Sequence, residues 1–273
     1  MKIIQRSKEA FNKLIFCYSI TQNFSSFFAL AWYTKLFRFR RNSPKYKTLY
    51  NKFFKISLSL FPGKKIFIRT YAGDIDIFYE IFFKKVYELP EIKMDNPLII
   101  DAGANVGFAA LYFLNKMPDA TIYCIEPDGD NFAFLEKNLQ SEIEKGQAMP
   151  VLAGLTGQDG YVNLKSSILK YNTGISKEFV SKEKRVIAYS VESFLKKYFI
   201  RKADLLKIDI EGSEENIFKD DISWLQNTAN VLIEFHSERI KKICLEKFES
   251  QKFIYIPHQK RENTEVFFFT KSV

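Results

Sequence analysis

Short apolar runs alternate with helical patterns from residue 98 onward, and this alternation limits the fold more than any other feature. The runs lie at 98–101, 121–126, 149–152, 205–210 and 231–235, and the helical patterns at 104–115, 130–139, 191–198 and from 214. Strands that alternate with helices need crossover connections, which produce a parallel sheet with helices on both faces. Two more runs, 253–257 and 265–270, predict a final antiparallel hairpin. The pattern alone predicts an α/β fold in which nucleotide binding is possible, and its order of elements matches a doubly wound, Rossmann-like sheet of seven strands.

A different kind of sequence precedes this sheet. Residues 1–64 are aromatic, basic and helical in pattern, and the character of the chain changes near Pro62 and Gly63. Residues 65–79 alternate on both sides of a turn at 72–74, which predicts a β-hairpin. The expected organisation is a basic aromatic helical extension, residues 1–64, followed by an α/β domain, residues 65–273, that begins with this hairpin.

Charge is distributed unevenly between these parts. The chain carries a net charge of +9, but residues 1–70 hold 15 Lys and Arg against the single acid Glu9, a net +14, so the remainder carries −5. Such asymmetry indicates a basic arm that meets a membrane surface, a nucleic acid or another polyanion. A solubilising charged face is the simpler alternative.

Residues 14–34 form an uncharged stretch of 21 positions, long enough to cross a bilayer. Polar residues interrupt it, among them Thr21, Gln22 and Asn23. Three interpretations stay open: a membrane span, an amphipathic helix on a membrane surface, and a helix packed on its own protein.

The three cysteines, Cys17, Cys124 and Cys244, are scattered and make no CxxC or Cys/His ligand spacing. Structural zinc and a disulfide framework are therefore disfavoured, and we expect reduced thiols in a cytoplasmic protein. A cytoplasmic protein of this kind can also contact a membrane through residues 1–60, and that alternative stays open.

The segment IIDAGANVG, residues 99–107, runs from a strand through a glycine turn into a helix. Gly103 can take a positive φ and leaves room for a ligand, and the following helix offers unpaired N–H groups. Asp101 can face an ammonium group while backbone amides face a carboxylate. The spacing D-x-G-x-N-x-G differs from the dinucleotide pattern G-x-G-x-x-G. A tight turn that binds nothing is the alternative interpretation.

Acidic residues and a histidine follow the other strands. Glu126 ends the second strand, 25 residues after Asp101, where an acid can accept hydrogen bonds from ribose hydroxyls. Asp209 and Glu211 follow the strand at 205–210, and His236 follows the strand at 231–235. Ligands of open α/β sheets bind outside the carboxyl ends of the strands, so these side chains share one candidate crevice. A strand-end acid or histidine without function is the alternative in each case.

Four blocks together resemble the FkbM family of methyltransferases across about residues 70–240. They are IIDAGANVG at 99–107, IEPDGDNFAFLEKN at 125–138, LLKIDIEGSE at 205–214 and LIEFH at 232–236. The first block is shared by many methyltransferases, whereas LLKIDIEGSE is the most specific. The long basic N-terminal extension is not explained by this resemblance.

The resemblance implies a seven-stranded methyltransferase sheet and S-adenosylmethionine as cofactor. It implies methyl transfer to a hydroxyl of a sugar, glycan or secondary metabolite. The cofactor-binding positions carried over are Asp101, Gly103, Ala104, Asn105, Gly107, Glu126, Pro127 and Asn131.

Methyl transfer to a hydroxyl requires removal of a proton, and the candidates are His236, Asp209 and Glu211. An unperturbed imidazole titrates near neutral pH, which favours His236. Asp209 and Glu211 also suit Mg²⁺, but further ligands are not evident, so no metal is expected.

Other functions compete with this interpretation. A nucleic-acid methyltransferase would use the basic arm. Methyltransferases that act on amino groups of bases usually carry an N/D-P-P-Y motif at a strand end, and the corresponding sequence in this chain is DIEG. A non-catalytic module that only binds S-adenosylmethionine is a further alternative, and a nicotinamide dehydrogenase conflicts with the glycine spacing. We expect a small-molecule or glycan acceptor, selected by a variable loop at 164–181.

Overall fold

A computed structural model describes residues 2–40, 52–90, 94–164, 175–176, 184–210, 214–219, 222–260 and 265–271. The chain divides into two compact units, Met1–Lys85 and Val86–Val273. The boundary expected at residue 64 falls inside the first unit, between two strands that pair with each other.

The first unit combines helices with a small β-hairpin. Its elements are α1 (Lys2–Ile20), α2 (Phe24–Arg40), β1 (Phe53–Ile56), β2 (Ile66–Arg69) and α3 (Asp74–Phe78), which a π-helical turn (Tyr79–Phe83) extends. β1 and β2 pair antiparallel. The predicted N-terminal helices and a β-hairpin are therefore present.

The residues that form the hairpin differ from the expectation. Ile75 and Ile77 were expected in its second strand, but they lie in α3. The buried Asp74 carboxylate accepts hydrogen bonds from the backbone N–H and the guanidinium of Arg69, and Gly73 has φ of 89°. This ion pair turns the chain into a helix immediately after β2, so β2 pairs with the preceding segment instead.

The uncharged stretch at 14–34 is divided between α1 and α2. Asn23 caps α2 because its side-chain oxygen accepts the backbone N–H of Ser26. Cys17, Ile20 and Leu30 are buried, so one side of each helix packs in the protein. No helix within the described ranges is long and apolar enough to span a bilayer.

The second unit is built on a seven-stranded sheet, as predicted. Its order is β12-β13-β11-β10-β3-β4-β5, with β3 (Leu98–Ala102), β4 (Thr121–Ile125), β5 (Ala148–Val151), β10 (Ala203–Ile208), β11 (Thr228–Phe235), β12 (Phe253–Lys260) and β13 (Glu265–Lys271). The strands from β11 to β5 run parallel, and β13 and β12 join antiparallel at one edge. The final hairpin of the sequence prediction is this edge.

Helices connect the parallel strands. They are α4 (Phe108–Lys116), α5 (Gly129–Asn138), α6 (Gln140–Glu144), α7 (Val191–Lys197), α8 (Glu214–Lys219), a 3-10 helix (Ser223–Asn227) and α9 (Glu238–Ser250). α4 begins four residues later than expected because Gly103, Asn105 and Gly107 all have positive φ. Asp128 and Ser190 cap α5 and α7 with their side chains.

A second, smaller sheet was not anticipated from the sequence. It has the order β6-β9-β7-β8, with β6 (Gly154–Thr156), β7 (Gly160–Leu164), β8 (Ile175–Ser176) and β9 (Lys184–Ser190). The acceptor loop expected at 164–181 lies outside the described residues except for 164 and 175–176.

Aromatic packing holds α9 on the sheet. The rings of Phe248 and Phe269 stack with centroids 3.8 Å apart, and both side chains are fully buried beside Phe218. This packing fixes the antiparallel edge of the sheet next to β11.

We predict that Phe248→Ala lowers the free energy of unfolding by about 3–5 kcal/mol, because it leaves a cavity under α9. Phe199→Ala is the matched control, since Phe199 is 91% exposed. Its effect should stay within about 0.5 kcal/mol in urea denaturation. Equal effects of the two substitutions would contradict the stacking of Phe248 on Phe269.

Candidate functional site

The carboxyl ends of four adjacent strands bring the candidate site together. In the order β11-β10-β3-β4 these ends lead to His236, Asp209, the loop at 103–107 and Glu126. Neighbouring strands lie about 4.8 Å apart, so the two outer positions are separated by roughly 14 Å along the sheet edge. The sequence prediction of one shared edge agrees with this order.

An ion pair lies beneath this edge. The Asp101 and Lys207 side chains are buried, and Lys207 Nζ lies 2.9 Å from Asp101 Oδ1. Lys207 Nζ also donates to the carbonyl oxygens of Gly103 (2.9 Å) and Ala102 (3.3 Å). Burial alone would lower the pKa of Lys207, but the carboxylates of Asp101, Asp209 and Glu234 raise it, so the lysine is a cation.

This pair gives Asp101 a role besides the expected one, because its Oδ1 faces the ammonium of Lys207. Its Oδ2 is buried without a hydrogen-bond partner among the described residues, so the expected contact with a cofactor ammonium stays a prediction. Burial raises the pKa of Asp101, and the Lys207 cation opposes that rise. The geometry therefore favours Asp101 as the residue that fixes Lys207 and the loop carbonyls.

The glycines of the loop are also required for a different reason than expected. A Cβ at Gly103 would lie 1.9 Å from the backbone carbonyl oxygen of Asp209, so the end of β10 requires glycine there. A Cβ at Gly107 would approach the Leu139 side chain at 3.1 Å. Packing against the protein itself, and not only room for a ligand, explains both positions.

Backbone amides of the loop are used internally as well. The N–H groups of Gly103 and Ala104 both donate to the carbonyl oxygen of Ile125 at 3.0 Å, and Ala104 is buried. The N–H of Asn105 donates to Glu126 Oε2 at 2.9 Å. These three amides hold the loop against β4, so they do not face a carboxylate of a ligand.

The side chain of Asn105 offers a buried hydrogen-bond acceptor. Its backbone has φ of 50°, and its side-chain Oδ1 is buried without a hydrogen-bond partner in the described part of the chain. Buried polar atoms in proteins are normally satisfied, so an atom of this kind at a strand-end loop suits a hydrogen-bond donor from a bound molecule.

Glu126 is held by a set of donors from its own surroundings. Oε1 accepts from the backbone N–H of Asp128 (2.8 Å) and from Asn131 Nδ2 (3.2 Å), and Oε2 accepts from Asn105. Burial raises the pKa of Glu126 to about 7, although these hydrogen bonds act in the opposite direction. Asn131 therefore orients Glu126, and the partly buried Pro127 leads from it into the cap of α5.

The other end of the edge holds a cluster around His236. Its Nδ1 lies 2.8 Å from Oε1 of the buried Glu214, and its Nε2 lies 3.9 Å from Asp209 Oδ1. The hydroxyl of Tyr87 donates to Asp209 Oδ2 at 2.5 Å. The expected pair His236 and Asp209 is thus brought together, with a carboxylate and a phenol beside it.

Sequence reasoning missed three residues of this site. Lys207 and Glu214 stand in the block LLKIDIEGSE, where a lysine inside an apolar strand is a readable signal. Tyr87 reaches Asp209 from 122 positions away, and nothing in its local sequence marks it.

Glu211, the third candidate for the base, belongs to residues 211–213, which lie outside the described part of the chain. Within the described ranges, no three His, Cys, Asp or Glu side chains cluster in a way that suits a metal ion.

We predict that Lys207→Met lowers the free energy of unfolding by about 3–5 kcal/mol, because it leaves the Asp101 carboxylate buried without a cation. Adding Asp101→Asn should recover part of this loss in urea denaturation, since no unpaired charge remains. Lys202→Met is the control: this exposed lysine pairs with Asp204 at 3.2 Å, and its loss should cost about 0–1 kcal/mol. A double variant no more stable than Lys207→Met would argue against the ion pair.

Comparison with known proteins gives a consistent family. The model of the FkbM methyltransferase domain matches residues 101–258. The methyltransferase sdnD of Sordaria araneosa is 27% identical over 191 residues, covering 58% of this chain and 73% of its own length. The hexuronic acid methyltransferase AglP of Haloferax volcanii is 25% identical over 170 residues, covering 62% of this chain and 65% of its own length.

A solved structure, the methyltransferase FkbM of Methylobacillus flagellatus, aligns with a TM-score of 0.49 at 12% identity. The alignment covers 98% of this chain and 60% of that one. The match of the domain model extends over more than half of the chain and includes the loop after β3, Glu126, Asp209 and His236. The chain therefore belongs to the FkbM family of methyltransferases.

Proposed function

We propose that this methyltransferase transfers a methyl group from S-adenosylmethionine to a hydroxyl oxygen of a sugar, glycan or secondary metabolite. The observation that carries the proposal is the sheet edge that holds Glu126 at one end and the His236 cluster about 14 Å away at the other. This arrangement suits a cofactor that binds across the strand ends with its ribose at Glu126 and its sulfonium on the side toward His236. Because that sulfonium is bonded to C5′ of the ribose, the acceptor hydroxyl would fill the remaining distance to His236.

The residues at the Glu126 end fit a ribose. A carboxylate offers about four acceptor positions, and Glu126 uses three of them within the protein. Asn105 Oδ1 adds a buried acceptor in the same loop. When bound, the cofactor supplies an electrophilic methyl group on a sulfonium.

The residues at the other end fit proton removal. Glu214 accepts the Nδ1–H of His236, so the proton of the neutral ring stays on Nδ1 and Nε2 is the basic atom. A substrate hydroxyl at Nε2 would give up its proton there as the oxygen attacks. The Asp209 carboxylate, 3.9 Å from Nε2 and held by Tyr87, stabilises the imidazolium that forms.

This arrangement favours a hydroxyl acceptor over a carboxylate. A relative carries the name hexuronic acid methyltransferase, and a sugar acid offers both groups. A carboxylate is already ionised at neutral pH and needs no base, whereas a hydroxyl does. A histidine oriented by a buried glutamate therefore supports methyl ether formation.

The direct experiment incubates the protein with methyl-labelled S-adenosylmethionine and pools of uronic-acid glycans, neutral glycans or small hydroxylated metabolites. Mass spectrometry should find a labelled product that survives mild alkali, because methyl ethers are stable to it. A product that alkali releases would be a methyl ester and would overturn the hydroxyl assignment.

Cofactor affinity should depend on pH through Glu126. Its pKa is about 7 in the free protein, and ribose hydroxyls donate to the ionised form, so affinity should rise as the pH passes upward through 7. From pH 6 to pH 8 we predict roughly a tenfold gain in affinity for S-adenosylhomocysteine, measured by calorimetry. Glu126→Gln should remove this dependence, and Glu136→Gln, on the exposed side of α5, should keep it. An affinity of the native protein that is flat with pH would contradict the ribose contact.

Turnover should depend on His236 far more than cofactor affinity does. We predict that His236→Ala lowers kcat by about 10² to 10⁴, while the affinity for S-adenosylhomocysteine stays essentially unchanged. Glu214→Gln should lower kcat less and shift the pH profile, since an uncharged amide can either accept from or donate to Nδ1 and so no longer selects one tautomer. His258→Ala, at the other histidine of the sequence, is the control.

Asp209→Asn separates the two base candidates. If His236→Ala keeps full turnover and Asp209→Asn does not, the carboxylate is the base. If both keep it, positioning of the reactants suffices and the assignment of a base is wrong.

A further inference from the structure

The helix α1 carries an apolar stripe on its outer side. Phe11, Leu14, Ile15 and Tyr18 follow the spacing i, i+3, i+4 and i+7, which places them on one face of the helix. Each of the four is 48–68% exposed. Among the side chains of α1 that the structure describes, Cys17 and Ile20 are buried and lie at other positions of the turn. The helix is therefore apolar both toward the protein and toward its surroundings.

The helix α2 repeats this arrangement. Phe24, Phe28 and Trp32 follow the spacing i, i+4 and i+8 and are 55–65% exposed, whereas Leu30 of the same helix is buried. Phe27 links the two stripes, since its ring lies 6.1 Å from that of Tyr18 and 5.4 Å from that of Phe28. The two stripes form one surface, which we call the aromatic face: residues 11, 14, 15, 18, 24, 28 and 32.

Positive charge flanks the aromatic face. Lys8 lies one turn before Phe11, and Lys35 lies one turn after Trp32; both are exposed. Residues 2–40 contain seven Lys and Arg and one acid, Glu9, which pairs with Lys13 at 3.0 Å. The face is thus apolar and aromatic at its centre and cationic at its ends.

We propose that the aromatic face is a docking surface for an anionic lipid bilayer, with α1 and α2 lying in the interfacial plane. Trp, Tyr and Phe favour the bilayer interface, and flanking lysines favour anionic headgroups. A second copy of the chain would bring the same positive charges against each other, which opposes self-association through this face. The proposal does not depend on the methyl acceptor.

Tryptophan fluorescence tests this surface directly, because the sequence contains two tryptophans in contrasting places. Trp32 is 63% exposed on the aromatic face, and Trp224 is 2% exposed in the second unit. Anionic vesicles that contain brominated lipid should quench the full-length protein. In Trp32→Phe, the remaining Trp224 emission should not be quenched. Equal fractional quenching of the two proteins, or no quenching of the native one, would overturn the proposal.

Vesicle flotation supplies the complementary measurement. The full chain should float with phosphatidylcholine vesicles that contain phosphatidylglycerol and bind those without it about tenfold more weakly. Phe28→Ser combined with Trp32→Ser should reduce binding about tenfold or more, and Lys8→Glu with Lys35→Glu should remove the preference for anionic lipid. Phe199→Ser and Lys145→Glu, at exposed positions of the second unit, are the matched controls and should bind as the native chain does.

A variant that keeps its affinity for S-adenosylhomocysteine and its unfolding temperature is folded. Loss of membrane docking can therefore be distinguished from failure of the methyl-transfer proposal. Native-like flotation of the aromatic double variant would contradict the proposal. A dimer in analytical ultracentrifugation that the same substitutions dissolve would assign the face to a second copy instead.

Discussion

The buried ion pair between Lys207 and Asp101 is the interaction on which the site depends most. It joins the central strands β10 and β3, and the same ammonium holds the carbonyl oxygens of Ala102 and Gly103. A buried cation is stable only when its partners are fixed. The pair therefore fixes the path of the loop that follows β3, and through Asn105 it fixes the donor that reaches Glu126.

The edge above this pair separates two kinds of chemistry. Glu126 is enclosed by three donors and has a pKa near neutral, which suits a residue that exchanges hydrogen bonds with a neutral diol. His236 is oriented by Glu214 and lies beside Asp209, which suits a residue that takes up a proton. Four parallel strands keep these positions apart at a fixed distance, so each end can serve its own part of a reaction.

The sequence was informative wherever local pattern determines structure. The alternation of strands and helices predicted the α/β sheet, and the strand-end residues Glu126, Asp209 and His236 do lie along one edge. The roles of individual atoms were less predictable, because they depend on long-range contacts. Gly103 is required by the Asp209 carbonyl, Asp101 faces Lys207, and Tyr87 reaches across the unit. The hairpin prediction was wrong in its residues because the Arg69–Asp74 pair starts a helix where the alternation suggested a strand.

Calorimetric titration of the full-length protein with S-adenosylhomocysteine and, separately, with a nicotinamide dinucleotide decides which cofactor the strand-end site binds. Both ligands carry a ribose whose hydroxyls can donate hydrogen bonds to Glu126. S-adenosylhomocysteine has an amino-acid group where the dinucleotide has a pyrophosphate. The loop after β3 uses the amides of Gly103, Ala104 and Asn105 within the protein, so these three amides do not face a pyrophosphate. We expect saturable binding of one S-adenosylhomocysteine per chain and no binding of the dinucleotide. Binding of the dinucleotide without S-adenosylhomocysteine would contradict this expectation.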